Sequence, residues 1–182
     1  MFDGTWPYQK IPFQFSLHVV EQDEAKPKHY SFLAEGTDDP RPGLLSELNR
    51  VLAGHGTVIV YNQAFEKKVL EELADAFPGY KDWIEGVSAR IADLLIPFRS
   101  FYYYHPAQKG SASIKKVLPA ITGKGYEGME INDGEDASIA FQAITYSDVP
   151  EEVRSKVRED LEKYCGLDTE GMIWIIDKLK VL

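Results

Sequence analysis

The sequence holds a single cysteine, Cys165, and only four histidines in 182 residues. One thiol excludes a disulfide framework and any cysteine-based zinc site, and it suits a reducing cytoplasm. No apolar run approaches the roughly 18 residues that a membrane-spanning helix requires. A basic stretch followed by an apolar one is also missing from the first residues, so no secretory signal is read there. Positive charge is scarce: 20 Lys and Arg stand against 29 Asp and Glu, for a net charge of −9. That excludes a basic nucleic-acid coat protein and, at first sight, disfavours any nucleic-acid role. There is no internal repeat, low-complexity tract or linker. What remains is ordinary globular stock, with 44% hydrophobic, 27% charged and 12% aromatic residues. This is enough for one sizeable core and too aromatic for disorder, so residues 1–182 read as a single domain.

The pattern along the chain predicts an α/β domain with a mixed sheet. Met1 to Tyr8 reads as a loop. Ile11 to Glu21 alternates Phe13, Phe15 and Leu17 with Gln14, Ser16 and His18, a strand signal. Residues 22–28 read as a hairpin turn and His29 to Ala34 as the returning strand. Asp38 to Gly43, with two prolines, reads as a loop before a helix over Leu44 to Ala53. Thr57 to Tyr61 (TVIVY) is a continuous apolar run, as in strands covered on both faces. A helix follows from Asn62 to Pro78-Gly79, and another amphipathic piece runs from Asp82 to Ala92. Phe98 to His105 is ambiguous between strand and helix. Ser111 or Ser113 caps a helix to about Leu118. Residues 122–134 read as a Gly-rich loop and Ala137 to Thr145 as a helix. The final helix starts at Pro150 and runs to Lys180, with a break near Gly166.

Two constellations carry chemistry. In VIVYNQAFE (58–66) a strand ends at Asn62, and Glu66 follows one helical turn later on the same face. Asn62 can hydrogen-bond at the strand-to-helix corner, and Glu66 points to the carboxyl end of the sheet, where α/β proteins bind ligands. On spacing alone, a helix cap with a solvated acid is the commoner use of this pattern. In YCGLDTEGM (164–172), Tyr164 and Asp168 share a helix face. A carboxylate beside a phenol suits a divalent cation and an oriented water, and equally suits a half-buried aromatic next to an acid.

Taken together, N-x-x-F-[DE] after a strand and Y-x-x-x-D about a hundred residues later resemble the DEDD superfamily of RNase H-like 3′–5′ exonucleases, in its tyrosine subclass. The segments PYQKIPFQFSLHVVE, VYNQAFE, RIADLL, FYYYHPAQKGSASIKKVLPAI and YCGLDTEGM narrow this. They resemble a bacterial family of domains of unknown function, number 2779, found toward the C-terminus of longer proteins read as nucleases. The resemblance implies an RNase H-like mixed sheet flanked by helices. It places Glu66 where the second-motif aspartate stands, Asp168 as the last acid and Tyr164 as the group orienting the attacking water. Glu66 and Asp168 would then ligate metal, with two Mg²⁺ or Mn²⁺ ions in the intact enzyme. Glu in place of Asp at 66 departs from the pattern. So does the absence of the D-x-E strand, since Asp3-Gly4-Thr5 offers an acid alone. The chain is therefore expected to lack its first strand, to bind the ions weakly, and to be inactive or nearly so by itself. The open sheet edge this would leave also invites dimerisation.

The remaining candidates are secondary. GSASIKK (110–116) combines Ser111 and Ser113 at a helix N-terminus with Lys115 and Lys116, an arrangement that can hold phosphate or simply cap the helix. The aromatics of FYYYHP (101–106) could stack on bases but are expected in the core. Asp93 reads as a structural cap, and His18, His29 and His55 as structural.

The expected function is thus a two-metal 3′–5′ exonuclease domain acting on single-stranded DNA or RNA ends. It would be cytoplasmic, apart from membranes, and joined to other domains of a longer nuclease. A rival reading is a non-catalytic module that binds nucleic acid or protein and keeps the fold without the full acid set. A third, weaker one is a generic metal-dependent phosphohydrolase.

Overall fold

The computed structural model describes residues 2–21 and 26–181; most of the turn expected over 22–28 lies outside the described residues. Strand β1 (Gln14–Val19) pairs antiparallel with β2 (Lys28–Leu33), with Gln14 opposite Leu33 and His18 opposite His29. Helix α1 (Pro40–Leu52) follows, then β3 (Val58–Val60) and α2 (Gln63–Ala76). Helix α3 (Lys81–Ser88) leads into β4 (Ile91–Asp93), which lies parallel to β3. After the single turn α4 (Ile96–Arg99) come α5 (Ile114–Thr122), α6 (Gly134–Tyr146) and α7 (Glu151–Leu179).

The chain is mixed α/β, as its pattern requires, but the strands do not join into one mixed sheet. Among the described residues they form two separate two-stranded sheets, β1–β2 and β3–β4. Several boundaries also differ from expectation. Helix α1 begins at Pro40, inside the stretch read as a loop. Both prolines fall in its first turn, where no N–H is needed, and Asp39 caps it by accepting from the Arg41 N–H at 3.0 Å. The piece expected to stay helical to Ala92 stops at Ser88, because Ile91–Asp93 is drawn into pairing with β3. Phe98 to His105 contains no strand. Helix α7 passes through Gly166 unbroken over 29 residues, because tertiary packing outweighs one glycine's modest cost.

That long helix is fastened to the hairpin. Arg158 donates to the carbonyls of Ala34 (2.8 Å) and Leu33 (3.2 Å), and Gln14 donates to the Leu161 carbonyl at 2.9 Å. Arg41 is buried and held by the Asp39 carboxylate; it donates also to the Asp3 carbonyl and stacks its charge on the Phe77 ring, 5.2 Å from the centroid. The apolar side chains gather in three clusters rather than one. The first centres on Leu33, Phe141 and Leu161, the second on Leu45, Leu73 and Ile84, and the third on Phe98, Leu118 and Ile175.

The aromatic run divides. Phe98, just upstream, is buried and Tyr103 packs edge-on against it, whereas Phe101, Tyr102 and Tyr104 are exposed. The core expected for these three is therefore not where they sit. Phe101 takes a left-handed backbone, and of the run itself only Tyr103 packs against the third cluster. His18 and His29 do have structural roles. Their rings stack at 4.4 Å, and through Ser16 and Thr169 they join β1, β2 and α7 in one hydrogen-bonded group.

Candidate active site

The corner between β3 and α2 is built by an acid from the neighbouring strand. Asp93, the last residue of β4, accepts hydrogen bonds from the backbone N–H groups of Asn62 (2.9 Å), Gln63 (3.1 Å) and Leu95 (2.9 Å). It thereby caps α2 from outside and is structural, as its position suggests. Asn62 occupies the N-cap position but makes no side-chain cap bond. It takes a left-handed backbone, φ 83°, which asparagine tolerates better than most residues. The side-chain bond expected of it at this corner is thus replaced by the Asp93 carboxylate, and the Asn62 side chain is exposed.

One turn into α2, Glu66 faces the cleft that Asp168, Tyr164 and Cys165 approach from α7. Burial raises the Glu66 carboxyl above the ordinary carboxylate range, and the nearby Asp168 charge adds to this. The carboxyl of Asp168 is also raised by burial, against the opposing pull of Tyr126, Lys115 and Tyr164. Tyr126 donates its phenol hydrogen to Asp168, and its ring lies 6.2 Å from that of Tyr164. Burial and the Asp168 charge push both phenols upward, so both stay protonated at neutral pH. The Cys165 thiol is pushed up to about 12, mainly by burial and then by Asp168 and Glu66, so it is an inert thiol at neutral pH.

Helix α5 brings the cation. The ammonium of Lys115 sits 5.7 Å from the Tyr164 ring centroid and draws the Asp168 carboxyl down. Tyr61, at the end of β3, donates to the Ala112 carbonyl at 2.6 Å and so fixes the loop before α5. Ser113 occupies the N-cap position of α5 without a side-chain bond, while the Ser111 hydroxyl accepts from the Ser113 N–H at 3.2 Å. Lys116 is exposed.

The folding thus brings Glu66, Tyr164 and Asp168 to one cleft, with Lys115 beside Tyr164 and Asp168, whereas Asn62, Ser111 and Ser113 do not line that cleft. Tyr126 was not foreseen. It lies in the Gly-rich stretch 122–134, and nothing in its spacing marks a lone tyrosine between Gly125 and Glu127 as a partner of Asp168. Among the described residues no three His, Cys, Asp or Glu side chains are placed to hold a metal ion. The donors here are two carboxylates, one of them already accepting from Tyr126. That set fits one hydrated divalent cation, whose charge would offset the mutual repulsion, and is too small for a pair of ions.

Residues 1–113 match the family model described as domain of unknown function DUF2779. The match takes in Asn62, Glu66 and Asp93 and ends before Tyr126, Tyr164 and Asp168. The chain is also 23% identical, over 195 residues, to an uncharacterized protein of Mycoplasma genitalium, MG366. That similarity covers 97% of this chain and 29% of the relative's length. No solved structure matches the chain. No described helix is long and apolar enough to cross a membrane.

Proposed function

We propose, for a chain that belongs to the DUF2779 family, that it is part of a metal-dependent 3′–5′ exonuclease of RNase H-like type acting on single-stranded DNA or RNA ends. The observation that supports this is the meeting of Glu66 and Asp168, from α2 and α7, with Tyr164 in one cleft, and the Lys115 ammonium beside Tyr164 and Asp168. Phosphodiester hydrolysis needs charge stabilisation and an oriented water more than it needs a protein nucleophile.

Each residue then has a task. Glu66 and Asp168 would hold a divalent cation, Mg²⁺ or Mn²⁺. Such an ion supplies Lewis-acid polarisation of the phosphate and a more acidic water. Tyr164 keeps its proton, so it acts by orienting a water and not as a base. Tyr126 holds one oxygen of Asp168, and Tyr164 also acts on that carboxyl. Lys115, with the hydroxyls of Ser111 and Ser113, offers a cation and hydrogen-bond donors to a phosphate. A second ion would need carboxylates from outside these 182 residues, as in the D-x-E strand of the enzymes the chain resembles.

The small acid set favours one other reading, a module that keeps the fold and binds nucleic acid or protein without cutting it. The two readings part in a nuclease assay with Mn²⁺ on 5′-labelled single-stranded oligonucleotides. This chain is compared with the same chain extended by about 30 upstream residues. The exonuclease reading expects a 3′-shortening ladder from the extended protein, little or none from the shorter one, and its loss in extended Asp168→Asn. Binding without shortening in the extended protein would establish the module, and equal activity in both lengths would sink the idea of missing acids.

A further inference from the structure

We propose that the cleft between the two sheets is the seat of one additional β-strand, supplied by polypeptide outside these 182 residues. The proposal deepens the exonuclease reading, and it rests on that reading only in so far as this strand and the expected D-x-E strand would be one; its observations are sheet edges and not metal or nucleic acid.

The edges come first. Ala34 donates to the Phe13 carbonyl. With the register of β1 and β2, this makes Phe13, Phe15, Leu17 and Val19 the residues that bond across to β2. The peptide groups of Gln14, Ser16 and His18 therefore point away from β2, and that of Ser16 has the Cys165 thiol of α7 beside it. On the other sheet, Val58 donates to the Arg90 carbonyl and Leu94 to the Val60 carbonyl. The peptide groups of Ile59 accordingly point away from β4. Neither edge belongs to a further strand among the described residues. Both line one cleft of about 1990 Å³, which includes all of β1 and all of β3.

The side chains agree. TVIVY has the composition of a strand covered on both faces, yet Ile59 is 38% exposed and Phe65, close by in α2, is 46% exposed. Val20, just past β1, is exposed as well, and all three line the cleft. A domain of this size ordinarily has one contiguous core. Here the cleft is bordered by members of all three clusters: Phe13 and Phe141 of the first, Phe15 and Val58 of the second, Tyr61 and Trp174 of the third. One inserted strand would satisfy both edges, merge the sheets and join the clusters.

The occupant must have two free edges. Each strand of this chain already has a partner on one side, so a second copy could reach β1 or β3 but not both. Phe2 to Pro12 is held elsewhere, by turns at Phe2–Thr5 and Trp6–Gln9 and by Arg41 on the Asp3 carbonyl. The relative MG366 extends far beyond the region it shares with this chain, which spans 29% of it. A strand from elsewhere in the same polypeptide is the occupant to which these observations point. It is five or so residues long, to match β1, and apolar where it meets the apolar side chains of α1, α2, α6 and α7, with polar positions where Glu66 and Asp168 line the same cleft.

Amide hydrogen exchange tests this, with internal controls. In the full polypeptide encoded by the gene, the amides of Gln14, His18 and Ile59 are expected to exchange within about tenfold of Phe15 and Leu17, which bond to β2. In the 182-residue chain they are expected to exchange about 100-fold faster than those controls or more. Should the shorter chain not hold its fold, the comparison within the full polypeptide decides by itself. Fast exchange at the three amides in the full polypeptide would overturn the proposal. A gene encoding no further residues would do the same, as would protection of the shorter chain that grows with its concentration, the mark of a second copy. Loss of nuclease activity with the three amides protected would instead defeat only the exonuclease reading.

Discussion

Tyr126 and Asp168, 42 residues apart in sequence, share one hydrogen bond in which the phenol donates to the carboxylate. A loop tyrosine thereby opposes the burial that raises an acid on the longest helix. Tyr126→Phe removes the donor while keeping the ring. Because the bond favours the ionised carboxylate, the Asp168 titration is expected to move upward, as ¹³C NMR of the carboxyl would show. Stability at neutral pH should fall by about 1–3 kcal/mol, and the loss should shrink once Asp168 is protonated. An unmoved titration would mean that the bond does not form in solution.

The two buried acids make stability depend on pH. Glu66 and Asp168 both have folded-state values above their ordinary ones, so the native state holds protons that the unfolded state has already released. Stability from these groups therefore falls as pH rises from the ordinary carboxylate value through their raised folded values. The melting temperature of the chain should rise as pH is lowered from 7 into that range. Glu66→Gln should raise it at pH 7 by a few degrees, the response of a domain this size to about 1 kcal/mol. Added Mn²⁺ should raise the wild-type value at pH 7 and leave Glu66→Gln less affected.

Two glycines on α7 should respond oppositely to alanine. A Cβ on Gly171 would lie 2.8 Å from Leu118, a residue with no exposure and no room to retreat. Gly171→Ala should cost about 1–3 kcal/mol and push α5, with Lys115, away from Asp168. At Gly166 the nearest atom is on His29 at 3.8 Å, an ordinary contact. Gly166→Ala should therefore stabilise by about 0.5–1 kcal/mol, the usual gain in a helix interior. Thermal melts of the two variants read both signs.

The corner at Asn62 separates backbone from side chain. Asn62→Gly keeps the left-handed turn and should leave stability within about 0.5 kcal/mol, whereas Asn62→Val should lose about 1–2 kcal/mol to strain. If the exposed amide contacts nucleic acid, Asn62→Gly should weaken oligonucleotide binding without altering the melting temperature. Unchanged binding would remove Asn62 from the substrate-contacting set.

The hairpin, the β3–α2 corner and the terminal helix were legible in the sequence because each rests on local periodicity. Strand β4 was not, since Ile91 and Asp93 pair with residues some thirty positions away that no local pattern records. Gly166 looked like a break because helix propensity is local, while the contacts of α7 with β1, β2, α5 and α6 are not. At the site, Tyr164 and Asp168 could be paired from their spacing on one helix. Their meeting with Glu66 needed a motif resemblance, and Tyr126 needed the fold itself. Asp93 showed its place by position, though not that it would take over the capping expected of Asn62.

The division of the apolar side chains into three clusters bears on cooperativity. The second cluster holds no residue of α7 and meets the first through Phe32, while α7 links the first to the third, so the three need not lose their order at one temperature. In calorimetry of this chain the van't Hoff enthalpy should fall short of the calorimetric one, and tryptophan fluorescence should divide the transition, since Trp83 belongs to the second cluster and Trp174 to the third.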